Sequence, residues 1–232
     1  MARKATSRNR TRVLGAALLV AALAGLYGWW SLIHWQPPRS RWPMQGVEVG
    51  SADGPIDWRA LKATGANFAY LDATASVFAR DTSFAQNLDD AHAARLKLGA
   101  LHRYDPCQPA GQQAANFVTV VPRDVHMLPP AIELDRLGDD CPIPVGDAAV
   151  QSELTTFLNQ IETHEGKPVI LKLSAKFEAR YHIAAVIDRG LWLTATRFEP
   201  DYAGRPWQLW TANRWLRSEA SEHPLQWLAA QS

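Results

Sequence analysis

Cysteine is scarce: Cys107 and Cys141 are the only two in 232 residues. Neither belongs to a CxxC or Cys/His spacing, so no zinc site and no metal is implied. Phosphate-binding loops are absent too. No GxGxxG, P-loop or GxSxG follows any strand-like run, which leaves nucleotide-driven and serine-hydrolase chemistry without support. Charged residues make up only 20% of the chain against 47% hydrophobic, a balance that excludes a disordered or collagenous chain. The first twelve positions lack any acid but hold Arg3, Lys4, Arg8, Arg10 and Arg12. Removing those five from the 24 basic residues leaves 19 against 23 acidic, a net −4 beneath an overall +1. A nucleic-acid binder carries its basic face on the folded part, so nucleic acid is excluded as a partner. Tryptophan, in contrast, is abundant: ten residues predict flat apolar platforms or an interface belt in addition to core.

After the basic segment 1–12, the stretch from Val13 to Ile33 has no ionisable side chain except Tyr27. As a helix it spans about 31 Å, enough to cross a bilayer core. Trp29, Trp30 and Trp35 gather at its far end, where amphipathic rings favour the membrane interface. The segment 13–35 is therefore predicted to be a single-pass signal anchor in the inner membrane, with the N-terminus cytoplasmic and the rest in the periplasm or outside. A cleaved signal peptide ending at Ala22-Leu23-Ala24 is the alternative, and it would make the protein secreted. The proline-rich run 36–43 reads as a short stiff linker, and 44–232 as the folded domain. Export permits a disulfide between Cys107 and Cys141, each just after a strand in neighbouring loops. Two free buried thiols are the other possibility.

From Met44 onward, strands and helices alternate. Strands are predicted at 45–49, 67–72, 97–102, 131–135 and 168–173, with helices at 57–64, 83–95, 111–121, 147–164 and 175–187 between and after them. Then the rhythm changes: 191–195, 207–211 and 225–228 are short strand-like runs without room for full helices. This predicts an α/β fold, a (β/α)-barrel of TIM type that is irregular in its last part. Chemistry in such barrels sits at the C-terminal strand ends, which directs attention to Glu48, Asp72, His102, Glu133 and Asp135.

Glu133 and Asp135, two apart on a strand, point to one side with α-carbons roughly 6.5–7 Å apart. Glu48 ends the first strand. Three carboxylates converging on a barrel mouth raise at least one pKa by repulsion and partial burial. A glycosidase uses that difference: a protonated acid for the leaving oxygen and an ionised partner for the cationic transition state. The alternative is that these acids cap helices or pair with Arg103 and Arg136.

The ordered segments MQGVEVGSADGPIDW, FAYLDATAS, LKLGALHRYDPC, LPPAIELD, GLWLTA and RPWQLWT resemble those of the lysozymes of glycoside hydrolase family 25 over nearly all of Met44–Leu228. The resemblance implies a barrel muramidase that cuts peptidoglycan glycan strands with no cofactor. It casts Asp135 as proton donor and Glu133 as stabilising carboxylate, with Glu48 assisting. His102, Asp72, Trp207 and Trp210 become candidate substrate contacts; barrel core is the alternative for the two tryptophans, and a hydrogen-bonded orienting role for His102. The departures fall on the site. Glu48 stands where the family has Asp, Glu133-Leu134-Asp135 inverts its Asp-x-Glu, and Asp72-Ala73-Thr74-Ala75-Ser76 replaces Lys-Ala-Thr-Glu-Gly. Leu101-His102-Arg103 replaces Tyr-His-Phe, and no acid stands in Leu225-Gln226-Trp227. Two functions fit: an anchored muramidase, or a barrel without turnover that holds peptidoglycan or an envelope partner. A third, an unrelated sugar hydrolase on the same barrel, explains fewer of the ordered segments.

Overall fold

The computed structural model describes the backbone of residues 3–231 and the side chains from residue 13. The side chains of the basic segment 1–12 lie outside the described residues. The chain divides into two units after Trp35. The first consists mainly of one helix, α1 (Arg3–Ile33). Its Val13–Ile33 portion, 21 residues with mean hydropathy 1.8, is long and apolar enough to cross a membrane, and none of it is buried by protein.

In the second unit, β1 (Gln45–Val49) leads to α2 (Trp58–Thr64), β2 (Phe68–Ala75), β3 (Ala79–Arg80) and α3 (Phe84–Ala93). Next come β4 (Lys97–Arg103), α4 (Ala110–Val120), β5 (Ala131–Leu134), α5 (Asp147–Glu165) and β6 (Ile170–Leu173). Helices α6 (Ala175–Tyr181) and α7 (Ile183–Val186) precede β7 (Gly190–Thr194), β8 (Leu209–Leu216) and β9 (Leu225–Ala230). Eight strands close a barrel in the order β1-β2-β4-β5-β6-β7-β8-β9, while β3 only folds back on β2.

The five expected βα units are present and the last three strands lack helices between them. The departure from the all-parallel TIM arrangement is β9, which runs antiparallel to both β8 and β1. Residues 217–224 between β8 and β9 are too few for the crossover that a parallel strand needs. The helix expected over 175–187 is broken at His182, whose φ of 50° is left-handed. The strand expected at 207–211 begins at Leu209 and runs on to Leu216.

Local chemistry sets the element ends. Asp57 caps α2 by accepting from the backbone N–H of Arg59 and Ala60, and Ser174 caps α6 through Phe177 N–H; both satisfy donors a helix start leaves open. Inside the barrel, Phe68, Tyr70, Leu101, Ala131, Ile170, Trp192, Leu209 and Leu228 form one apolar cluster. Gly99 is required there, because a β-carbon at that position would strike the Tyr70 ring. The seam between β1 and β9 is latched by Trp227 Nε1, which donates to Gln45 Oε1 at 2.7 Å. The other side of the Gln45 amide donates to the carbonyls of Pro37 and Trp42, both at 2.8 Å.

Candidate active site

Above the apolar filling, the inward positions change character. Neighbouring strands place Arg103 beside Glu133, Glu133 beside Lys172, and Lys172 beside Trp192 in register. Side chains at matched positions of a parallel sheet share a face, so β4, β5 and β6 present a cation, an anion and a cation in one row. Glu48 enters from β1. Its two oxygens lie 2.6 and 2.7 Å from Lys172 Nζ, which also reaches Glu133 Oε1 at 2.8 Å. The other Glu133 oxygen accepts from Arg103 Nε at 2.9 Å, and Arg103 Nη2 donates to Asp72 Oδ2 at 2.5 Å. Five charged groups from five strands thus form one continuous chain across the barrel mouth: Glu48, Lys172, Glu133, Arg103, Asp72.

Burial and charge pull these groups apart electrostatically. Burial pushes Glu48 above the ordinary carboxylate range against the pull of Lys172. Asp72 is pushed up to about 7, first by burial and then by the Glu48 charge, with Arg103 opposing. Burial also acts upward on Glu133, but Lys172 and Arg103 outweigh it and hold that carboxyl below its usual value. Lys172 would be depressed by burial, and Glu48 and Glu133 reverse the direction. The mouth therefore holds a carboxylate kept ionised beside one that binds a proton near neutrality.

Asp135 lies one residue past β5. Its side chain is 56% exposed and pairs with Lys176 at 3.1 Å. It borders two adjoining clefts, of about 290 and about 500 Å³, both also lined by Glu133, Arg214 and Gln226. Glu133 and Asp135 therefore share one open surface. Glu48 does not reach it: it is 2% exposed, with both oxygens committed to Lys172.

Three expected substrate contacts need correction. His102 is fully buried on the outer side of the barrel wall. Its Nδ1 lies 2.7 Å from Thr74 Oγ1, its Nε2 3.3 Å from Gln113 Oε1, and its ring 4.8 Å from that of Phe157. Burial drives it down to about 4, so it is a neutral orienting group away from the cleft. Trp207 and Trp210 are also buried, packed with Trp42 at centroid distances of 5.3 and 5.9 Å. They join the linker to the barrel wall and offer no face to a sugar. Asp72 does line a small hollow of about 140 Å³ beside Arg103.

Sequence reasoning missed Lys172, Arg214 and Gln226. The signal for Lys172 was a lysine inside the apolar run Ile170-Leu171-Lys172-Leu173, since a lysine in a buried strand requires carboxylate partners. Gln226, paired in register with Glu48, occupies the last-strand position where an acid was expected. Cys107 and Cys141 are bridged, with an S–S distance of 2.01 Å, which removes the free-thiol alternative. Among the described residues, no group of three or more His, Cys, Asp or Glu is placed to hold a metal ion.

A family model described as glycosyl hydrolases family 25 matches residues 47–220. The chain is similar to a structure of a family 25 glycosyl hydrolase from Bacillus anthracis, with a TM-score of 0.75 and 25% identity, covering 86% of this chain and 93% of that one. It is 29% identical to Lysozyme M1 of Streptomyces globisporus over 97 residues, 40% of this chain and 33% of that protein. It is 24% identical to YegX of Escherichia coli K12 over 176 residues, 72% of this chain and 62% of YegX. The matches thus span about a third and about three-fifths of the curated relatives' lengths.

Proposed function

Because the chain belongs to glycosyl hydrolases family 25, we propose that it hydrolyses the glycan strands of peptidoglycan at the charged mouth of its barrel. The observation that carries this reading is the pairing of two unlike carboxyls on one cleft. Glu133 is fixed and ionised by Lys172 and Arg103, and Asp135 stands beside it at the rim.

In this reading a glycan strand lies along the cleft with its scissile oxygen at Asp135. Asp135 gives its proton to the leaving oxygen as the glycosidic bond breaks, Glu133 opposes the positive charge developing on the sugar ring, and a water then adds to that ring carbon and returns a proton to Asp135. Glu48 assists only from beneath, through Lys172. Asp72, with Arg103 beside it, lines a separate small hollow next to Ser51 and Arg80.

The proposal extends to location. The apolar run of α1 and the basic residues before it support a single-pass inner-membrane anchor, with the barrel in the periplasm or outside where peptidoglycan lies. Removal of α1 as a signal peptide would release the same barrel as a secreted protein. Fractionation of the full chain and the size of its mature form decide between the two.

A second reading, a barrel that binds peptidoglycan or an envelope partner without cutting it, is favoured by one observation. Glu48, Asp72, Glu133 and Asp135 each already hold a cationic partner. Incubation of the full chain with purified peptidoglycan separates the two. New reducing ends that vanish in Asp135→Asn and Glu133→Gln variants support the hydrolase. Co-sedimentation without new ends supports the binder.

A further inference from the structure

The most unusual group in the barrel is a lysine almost wholly withdrawn from water at the level where the apolar filling ends, on the floor of the cleft of about 290 Å³. The Lys172 side chain is 6% exposed. Its ammonium sits 5.0 Å from the centroid of the Trp192 ring, and three carboxylate oxygens surround it at 2.6, 2.7 and 2.8 Å. A lysine has three donors and no acceptor, so this contact set exhausts it. Two donors end on the deeper Glu48 and one on Glu133, which faces the cleft.

That asymmetry assigns the roles. Glu48 and Lys172 together are a neutral buried pair held by two short contacts, and that pair fixes where the ammonium can point. The third donor is thereby aimed at Glu133 Oε1, while Arg103 takes Oε2 from the other side. Glu133 is gripped through both oxygens and has only its remaining lone pairs to offer to the cleft. We propose that Lys172 is a positioning residue of the hydrolytic site, clamped by Glu48 from below at the floor of the cleft of about 290 Å³ and, with all three donors committed to carboxylates, acting on substrate only through the Glu133 carboxylate that it holds in place. This inference rests on the reading of Glu133 as a catalytic carboxylate.

The charged and titratable groups around Glu133 are known from every wall. Lys172 comes from β6, Arg103 from β4, Glu48 from β1 and Asp72 from β2, and Asp135 lies just past the end of β5. Arg214 on β8 and Gln226 on β9 complete the lining. Of these, Lys172 is the buried cation, its three donors ending on Glu48 and Glu133, whereas Arg103 is half exposed and shares its donors between Glu133 and Asp72.

Lys172→Met alone strands Glu48 as an unpaired buried acid and risks misfolding. The double variant Glu48→Gln/Lys172→Met removes both charges of the pair and keeps the fold testable. The experiment follows the Glu133 carboxyl by carbon NMR through a pH titration of the full chain in detergent, beside kcat/KM for release of reducing ends from peptidoglycan. The double variant is expected to titrate Glu133 about one pH unit higher or more and to lose about 10²-fold in kcat/KM through misplacement of the carboxylate. A folded double variant with an unchanged Glu133 midpoint and unchanged kcat/KM overturns the proposal, leaving Lys172 as mere neutralisation of Glu48. A Glu133→Gln protein that cuts at the unaltered rate overturns the catalytic reading itself. It does so whether or not the midpoint has moved in the double variant, so the two failures are distinguishable.

Discussion

Asp72 Oδ2 lies 2.5 Å from Arg103 Nη2, joining two residues that both depart from the pattern the sequence otherwise resembles. Asp72 stands in place of a lysine and Arg103 in place of an aromatic ring, and the structure makes them partners. A cation is lost from β2 and one is gained on β4, so the charge exchange on one strand is answered by its neighbour. A β-carbon at position 50 would collide with the Asp72 carboxylate, so the glycine after β1 leaves the room this pair occupies.

The pH dependence of stability follows from two buried groups with opposite slopes. Asp72 binds a proton up to about pH 7 in the folded chain but only to about pH 4 when unfolded. Over that interval the folded state holds more protons, so stability falls as pH rises. His102 does the reverse: it titrates near 6.5 unfolded and at about 4 folded, so stability rises over nearly the same interval. Asp72→Asn is expected to expose the His102 slope, adding about 3 kcal/mol of unfolding free energy between pH 4 and pH 7. Urea unfolding at pH 4.5 and 7 checks this, and a variant slope no steeper than that of the unaltered chain contradicts it.

Asp135 is expected to matter for turnover and little for folding. Its ion pair with Lys176 joins two half-exposed side chains, and such pairs contribute about 0–1 kcal/mol. Asp135→Asn should leave the thermal midpoint within a degree or two and abolish release of reducing ends. Lys176→Ala should leave both nearly unchanged. Calorimetry beside the reducing-end assay measures the pair.

The tryptophans divide into packing and surface. Trp207→Ala is expected to destabilise the chain by about 3–5 kcal/mol, as for other buried aromatics, because the ring stacks on Trp42. Trp215→Ala, at a ring 54% exposed, should change stability by less than about 0.5 kcal/mol. Denaturant midpoints of the two variants test the division, and equal losses would refute it.

The Cys107–Cys141 bridge closes a span of 34 residues and ties the loop after β4 to the loop after β5. Constraint of the unfolded chain by a loop of that length contributes about 2–4 kcal/mol. Reductant, or a double Cys→Ser replacement, is expected to lower the urea midpoint accordingly. An unaltered midpoint would mean that the loops are held equally well without it.

The barrel was legible in the sequence because its strands and helices alternate with little interruption, and the carboxylates because they sit at strand ends. Lys172 was hidden by distance: its partner Glu48 is 124 residues away, and no local pattern marks the pairing. His102 was misplaced by one step of strand alternation, since it lies next to Arg103 yet faces the other side of the wall. Trp207 and Trp210 were ambiguous for a related reason. Their segment names the residues but not the linker tryptophan, Trp42, that covers them.

The latch between Gln45 and Trp227 spans 182 residues, and the first strand cannot be sealed until the last is available. A chain made from its N-terminus therefore has β1 with one open edge throughout synthesis of the other seven walls. Open strand edges invite pairing with other chains, and pairings this remote in sequence form slowly. The interval before β9 arrives is accordingly the period in which this protein is most exposed to aggregation. Variants that weaken the Gln45 latch should be seen first as poor yield of folded chain and only afterwards as lowered stability of what has folded.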